Sequence, residues 1–215
     1  MRFFDSGASG LSRLLEEPPS FRHAGFDLRM SGRAELRESS YLEVTAGEWK
    51  AIRLYQDGSL LARVAADSSF LGWGSSEDAF IHQPRLNPVA VVEIHAAFVT
   101  LLAEVLTHFS AMPAEVDFRL ELHDPFIDGN RLFLTKWYER GIQHVHNPER
   151  YRVQAADPSA QHTVLIKRLR QHPLVVAYDL VARFYSFFDM PADKIPFVTD
   201  TDAGKAIDVE QLKRL

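Results

Sequence analysis

Apolar residues cover most of the segment 86–109, and a narrow polar stripe of four side chains interrupts them at helical spacing: Glu93, Thr100, Glu104 and Thr107. Asn87 can cap the first free amides of a helix, and Pro88 suits the first helical position. The pattern therefore predicts a long helix over 87–109 that the rest of the chain covers on most sides. A membrane span is excluded because every window of the required length contains at least two of Glu93, His95, Glu104 and His108.

A second apolar helix is predicted over 173–188. His172-Pro173 opens it, and its apolar residues recur at intervals of three and four. Asp179 and Arg183 lie four residues apart on the polar side, so we expect them to pair there.

Strict alternation of apolar and polar residues predicts strands before the first helix. One strand is expected over 26–30, and three more over 41–45, 49–55 and 60–66. Gln56-Asp57-Gly58-Ser59 is typical of a tight turn between the last two. These segments together predict an antiparallel meander.

A second hairpin is expected after the long helix. Residues 117–123 alternate, Asp128-Gly129-Asn130 is typical of a turn, and residues 131–137 return. Residues 146–163 are polar and contain Pro148 and Pro158, so we expect a loop there.

The sequence therefore predicts an α+β fold, in which an antiparallel sheet of meander plus hairpin packs on the buried helix 87–109 and on the helix 173–188. Residues 1–23 are expected as an N-terminal arm, residues 24–200 as a single domain, and residues 201–215 as a tail with a short helix capped by Asp208.

Composition places the chain in a reducing compartment. It has no Cys, and its N-terminus lacks the apolar run of a signal peptide, so we expect a cytoplasmic protein with no membrane association. The net charge of −5 does not attract nucleic acid to the molecule as a whole.

Charge is distributed unevenly along the chain. Residues 131–172 contain three acidic and eight basic residues, the latter being Arg131, Lys136, Arg140, Arg150, Arg152, Lys167, Arg168 and Arg170. This basic segment predicts a binding face for phosphate or for an acidic partner surface. A solvated loop that balances its acidic neighbours explains the same composition.

Two glycines surround Trp73 in Ser69-Phe70-Leu71-Gly72-Trp73-Gly74, which breaks the preceding alternation. The composition is typical of a loop anchored by an aromatic residue. Trp73 either covers the sheet edge or stacks on a ligand.

The strongest candidate for a metal site is His144-x-His146 together with His123. If residues 142–146 are extended, His144 and His146 lie on one face, and His123 could complete three ligands around an open zinc position. Surface histidines beside Asn-Pro explain the same spacing.

Enzyme signatures are otherwise scarce. The sequence contains no phosphate loop, no G-x-G-x-x-G, no G-x-S-x-G and no H-E-x-x-H. Glu48-Trp49-Lys50 after Asp27 has the acidic-x-Lys form found in some metal-dependent nucleases, but it lies at a turn.

Five stretches together resemble a known family: 25–28 (Gly-Phe-Asp-Leu), 54–60 (Leu-Tyr-Gln-Asp-Gly-Ser-Leu), Asn87-Pro88, 184–188 (Phe-Tyr-Ser-Phe-Phe) and 195–197 (Ile-Pro-Phe). Their order resembles the C-terminal region of bacterial proteins whose N-terminal part is an Alba-like, Schlafen-type putative DNA- or ATP-binding domain. The resemblance covers residues 24–200 and implies an accessory or sensing domain of a regulatory or defence-type protein. The N-terminal domain of that family is not in this sequence, so its DNA or nucleotide binding does not carry over.

We therefore expect a non-catalytic binding domain without a cofactor, which acts on a protein partner or as a homo-oligomer. Its contacts would come from the basic segment and from Trp73. The alternatives are a zinc-dependent hydrolase or nuclease that uses His123, His144 and His146, and a nucleic-acid-binding domain that uses the same arginines on phosphates.

Overall fold

The computed structural model describes residues 8–38, 40–72, 76–109, 113–138, 141–142 and 151–215. Its α-helices are α1 (Ala8–Glu16), α2 (Glu77–His82), α3 (Pro88–Val105), α4 (Ile166–Gln171), α5 (Pro173–Ser186) and α6 (Val209–Leu212). Its strands are β1 (Glu35–Arg37), β2 (Tyr41–Ala46), β3 (Lys50–Tyr55), β4 (Leu60–Val64), β5 (Arg85–Leu86), β6 (Glu115–Glu121), β7 (Phe126–Ile127), β8 (Asn130–Arg131), β9 (Phe133–Leu134), β10 (Trp137–Tyr138), β11 (Gly141–Ile142), β12 (Ser159–Leu165), β13 (Val198–Thr201) and β14 (Gly204–Ile207). The α+β prediction is confirmed.

The strands predicted over 41–45, 49–55 and 60–66 are present as β2, β3 and β4, and together with β1, which was not predicted, they form a four-stranded antiparallel sheet in the order β1-β2-β3-β4. Val44, Ile52 and Leu54 are fully buried on its inner face, as the alternation predicts. Gly58 turns the β3–β4 hairpin with φ +90°, and a Cβ atom there would lie 2.7 Å from the Phe109 ring. The turn therefore needs glycine both for its backbone and for its approach to the end of α3.

The expected strand over 26–30 is wrong, because this segment is irregular and pairs with no described strand. Its carbonyls are satisfied by a side chain instead. The Nζ atom of Lys50 donates to the carbonyl oxygens of Asp27 (3.1 Å) and Arg29 (2.7 Å).

The long helix is confirmed as α3, and 13 of its 18 residues are buried. The Oδ1 atom of Asn87 accepts a hydrogen bond from the Val89 amide (3.0 Å), and Pro88 occupies the first turn. A 3₁₀ turn over Leu106–His108 follows α3. Pro88–His108 is long and apolar enough to cross a membrane, but most of it is buried in the fold, as in the core helix of a soluble protein.

Helix α3 packs between other elements of one hydrophobic core. It contacts α1 and α5, and α1 also contacts β2. The predicted arm, residues 1–23, includes α1, whose Leu11 and Leu15 are at most 1% exposed in this core. The predicted tail, residues 201–215, supplies Ile207 and Leu212 to the same core, and Asp208 caps α6 as expected.

The strand predicted over 117–123 is present as β6, but its expected partner is wrong. Residues 131–137 do not pair with it. β6 instead pairs antiparallel with β12, with Phe118 opposite His162. β12 begins in the segment that was expected to be a loop. Its strand pattern is weak because only Ala160, His162 and Val164 face inward, and two of these three are small or polar.

The second apolar helix is confirmed as α5, which contacts α3, β12 and the β13–β14 hairpin. The expected Asp179–Arg183 pair is wrong. The Asp179 carboxylate pairs with Arg168 of α4 (3.0 Å), and the Nε atom of Arg183 donates to the carbonyl oxygen of Gln161 (3.4 Å).

Candidate binding surface

Glu93 anchors a buried ion pair between α3 and the segment after α1. Its carboxylate accepts hydrogen bonds from the Nε (2.6 Å) and Nη2 (2.8 Å) atoms of Arg22 and from the Phe26 amide (2.9 Å). The Glu93 side chain is 2% exposed. Because its acceptor positions are occupied, this cluster joins two parts of the chain and offers no open carboxylate for catalysis.

Asp27 and Lys50, which belong to the nuclease-like pattern, do come together. Lys50 Nζ lies 3.9 Å from Asp27 Oδ1, and Asp27 also accepts from Arg29 Nε (2.6 Å) and Ser20 Oγ (3.1 Å). Burial lowers the pKa of Lys50, and the Asp27 carboxylate opposes that effect. Glu48 remains exposed in the turn before β3. With its ammonium bonded to two carbonyls, Lys50 acts as a clamp on residues 27–29.

The predicted zinc ligands are placed only in part. The His123 side chain is 72% exposed, and its Nε2 atom lies 3.4 Å from Glu121. His144 and His146 lie outside the described residues. In the described part of the chain, no three His, Asp or Glu side chains converge as a metal site would require. The zinc hypothesis stays a prediction.

The predicted basic binding residues fall in two parts of the fold. Arg131 lies in β8, and the Nζ atom of Lys136 lies 5.0 Å from the centre of the Tyr151 ring. The backbone of Arg152 forms an isolated antiparallel β-bridge with Phe133. The others with a described position are on α4: Lys167, Arg168 and Arg170, all exposed. Arg140, Arg150 and Trp73 lie outside the described residues.

Helix α4 follows β12 directly, so its cations lie at the end of that strand. α4 carries three basic residues and no acidic residue. Arg183 of α5 adds a fourth cation beside β12, and Asp179 is the acidic residue that faces them. We call β12, Lys167, Arg168, Arg170 and Arg183 together the basic edge.

His162 lies beneath the basic edge and faces charged groups from two helices. Its Nε2 atom is buried without a hydrogen-bond partner among the described residues and lies 3.6 Å from Asp179 Oδ2. Burial lowers the pKa of His162, Arg183 and Arg168 lower it further, and Asp179 opposes them. His162 is therefore neutral at pH 7, and the positive charge of the basic edge comes from Lys and Arg alone.

A groove lies at the C-terminal part of the fold. The rings of Trp137 and Phe197 lie 5.4 Å apart, and Phe197 has φ +58°, an unusual conformation for a bulky residue. They line a groove of about 540 Å³ with two acidic and two basic side chains: Asp193, Asp200, Lys205 and Arg214. Because its charges balance, the groove favours no charge class of ligand.

Sequence reasoning found the α4 cations but missed β12, Asp179 and Arg183 as parts of the same surface. Polar residues at Ser159, Gln161 and Thr163 masked the strand period. Pro158 before them and the apolar pair Val164-Leu165 at the end were the available signals.

No protein-family model, curated protein or solved structure matches this chain. The resemblance to the C-terminal region of Alba-like, Schlafen-type proteins therefore stays a prediction. So does the accessory role in a bacterial regulatory or defence-type protein that it implies.

Proposed function

We propose that this chain is a non-catalytic protein-interaction domain that binds an acidic polypeptide on its basic edge. The observation that carries the proposal is the grouping of four cations with Asp179 on the side of β12 that faces α4 and α5, since β12 itself has no Lys, Arg, Asp or Glu. Asp117 of β6 contacts Thr163 from the other face of β12. Elsewhere, the buried charges Glu93 and Asp27 are already bonded within the chain. On the basic edge, Lys167, Arg168 and Arg170 are exposed, so a partner can reach their charges even though Arg168 pairs with Asp179.

The exposed row of β6 favours a narrow partner over a nucleic-acid duplex. This row consists of Glu115, Asp117, Arg119 and Glu121, and it lies one strand away from β12. Neighbouring strands are about 4.8 Å apart, whereas the major groove of DNA alone is about 12 Å wide. A duplex on the basic edge would also cover the acidic row, while a single extended chain would not.

The test is fluorescence anisotropy with labelled poly-L-glutamate as the probe. We expect binding that weakens with salt, because the contacts are between exposed charges. The double variant Lys167→Glu, Arg170→Glu should weaken binding at least about tenfold, which corresponds to about 1.4 kcal/mol. Arg168 is left intact because it pairs with Asp179.

The matched control is the double variant Arg33→Glu, Lys213→Glu, which changes net charge equally at exposed sites outside the basic edge. It should alter the affinity by about twofold or less, since distant surface charges are screened. Equal weakening by both double variants would show a nonspecific effect of net charge and overturn the proposal. Tighter binding to duplex DNA than to poly-L-glutamate would favour the nucleic-acid alternative.

A further inference from the structure

Resting on the proposed function, we infer how the acidic polypeptide docks: it adds as a third, antiparallel strand to the outer edge of β12. In the described part of the chain, β12 and β6 pair only with each other. Each seven-residue strand therefore has one edge whose amides and carbonyls have no partner strand there.

Two hydrogen bonds at the ends of the β6–β12 ladder fix the direction of each backbone group. The Leu122 amide donates to the Pro158 carbonyl (3.1 Å), and the Ile166 amide donates to the Ala114 carbonyl (3.0 Å). Hydrogen-bonded and non-hydrogen-bonded pairs alternate along an antiparallel ladder. The amides and carbonyls of the even-numbered residues of β12 therefore bond to β6, and those of the odd-numbered residues point away from β6, toward the outer edge.

Arg183 supports this assignment independently. Its Nε atom reaches the carbonyl oxygen of Gln161 at 3.4 Å from α5, which requires that this carbonyl be accessible from outside the ladder. The Gln161 carbonyl already accepts this bond, but a carbonyl oxygen has two lone pairs and can accept a second one. The amides of Gln161 and Thr163 point to the same outer side.

β12 lacks the charges that protect the other sheet edges. Among edge strands of three or more described residues, β1 carries Glu35 and Arg37, β4 carries Arg63, and β6 carries four charged residues. β13 carries Asp200, and β14 carries Lys205. β12 carries none, and its Leu165 is 58% exposed. Charged edge residues disfavour pairing with another chain, and their absence permits it.

The surroundings of β12 define the side chains of the partner. Arg183 lies beside the outer edge of β12, on the face of the sheet that is turned toward α5. Every second side chain of an added strand would face Arg183, and acidic residues suit those positions. On the opposite face, exposed Leu165 suits apolar or β-branched residues. A second copy of β12 fits poorly as the added strand, because β12 has no acidic residue. An antiparallel pair of two β12 strands centred on His162 would also bring the Arg183 side chains of the two molecules close together.

The test measures the affinity of an end-blocked eight-residue peptide of alternating Glu and Val for the unmodified protein. In an antiparallel added strand with Glu facing α5, the Val amides donate to β12 and the Glu amides point away. N-methylation of the Val amides should therefore weaken binding at least tenfold. N-methylation of the Glu amides, with identical charge, should change it about threefold or less.

A protein variant tests the same contact from the other side. Thr163→Pro removes an outward amide without removing a ladder bond to β6, which an edge strand tolerates. Thr163→Val is the control, because both variants lose the 2.6 Å bond from Thr163 to Asp117 but Val keeps the amide. We expect Thr163→Pro to bind the peptide at least tenfold more weakly than Thr163→Val does, and both variants to keep the circular dichroism spectrum of the unmodified protein.

Equal binding of the two N-methylated peptides would overturn strand addition and leave the charge-based function standing. Failure of every peptide and of poly-L-glutamate to bind would instead overturn the proposed function itself. A concentration-dependent dimer that Thr163→Pro abolishes would assign the edge to a second copy and overturn the acidic partner.

Discussion

At the residue scale, Glu93 shows how a carboxylate becomes part of a hydrophobic core. The polar stripe of α3 correctly marks Glu93 as different from its neighbours, but the sequence does not identify its partner, Arg22, which lies 71 residues away. Gly25 belongs to the same arrangement, since a Cβ atom there would lie 2.7 Å from Glu93 Oε1. Long-range pairs of this kind depend on tertiary packing and leave no periodic signal in the sequence.

Glu93→Gln should destabilise the fold by about 3 kcal/mol, because it leaves the Arg22 guanidinium buried without a charged partner. Urea unfolding followed by circular dichroism measures the change. Glu17→Gln removes the exposed Arg13–Glu17 pair and serves as the control, with an expected cost of about 0.5 kcal/mol or less. Similar costs for the two substitutions would contradict the structural role of Glu93.

His162 predicts a pH dependence of stability. Its pKa in the folded chain lies below the ordinary value of 6.5, because of burial and of Arg183 and Arg168, against the opposing Asp179. As pH falls below about 6.5, the unfolded chain takes up the proton first, so the contribution of neutral His162 to stability is lost. It is fully present above that pH.

His162→Gln should therefore reduce the loss of unfolding free energy between pH 7.5 and pH 5.5. Urea unfolding at both values, with the exposed His23→Gln as control, makes the comparison. An unchanged pH dependence in His162→Gln would contradict the assignment.

At the element scale, the cap of α3 determines where the central helix begins. Asn87 is 4% exposed, and its side chain accepts the Val89 amide. Asn87→Ala should cost about 1–2 kcal/mol, which lowers the melting temperature by about 2–8 °C in a chain of this size. Asn87→Ser keeps an acceptor and should recover most of the loss. Equal melting temperatures for the two variants would show that the cap contributes nothing.

The elements differ in how well the sequence predicts them. The meander and both apolar helices follow from strong local periods, and each is present. β12 could not be predicted in this way, because its partner β6 lies about 40 residues earlier and one of its inward residues is His162. Segment 26–30 alternates like a strand, yet Lys50 binds its carbonyls in place of a neighbouring strand. The element at the centre of the candidate site was therefore the one with the weakest local signal.

At the scale of the whole molecule, net charge conceals the candidate site. The chain carries −5 overall, while the basic edge groups four cations with Asp179, and Asp117 of the neighbouring strand contacts Thr163. This positive charge lies in a narrow strip. The mostly acidic exposed residues of β6 lie on one side of the strip, and the uncharged outer edge of β12 lies on the other. A strip one strand wide suits an extended acidic polypeptide.

The most direct measurement is amide hydrogen exchange, resolved by residue with NMR, on the chain with and without the alternating Glu–Val peptide. The peptide should slow exchange at Gln161 and Thr163 and leave His162 and Val164, which already bond to β6, nearly unchanged. Unchanged exchange at Gln161 and Thr163 with the peptide bound would contradict the account.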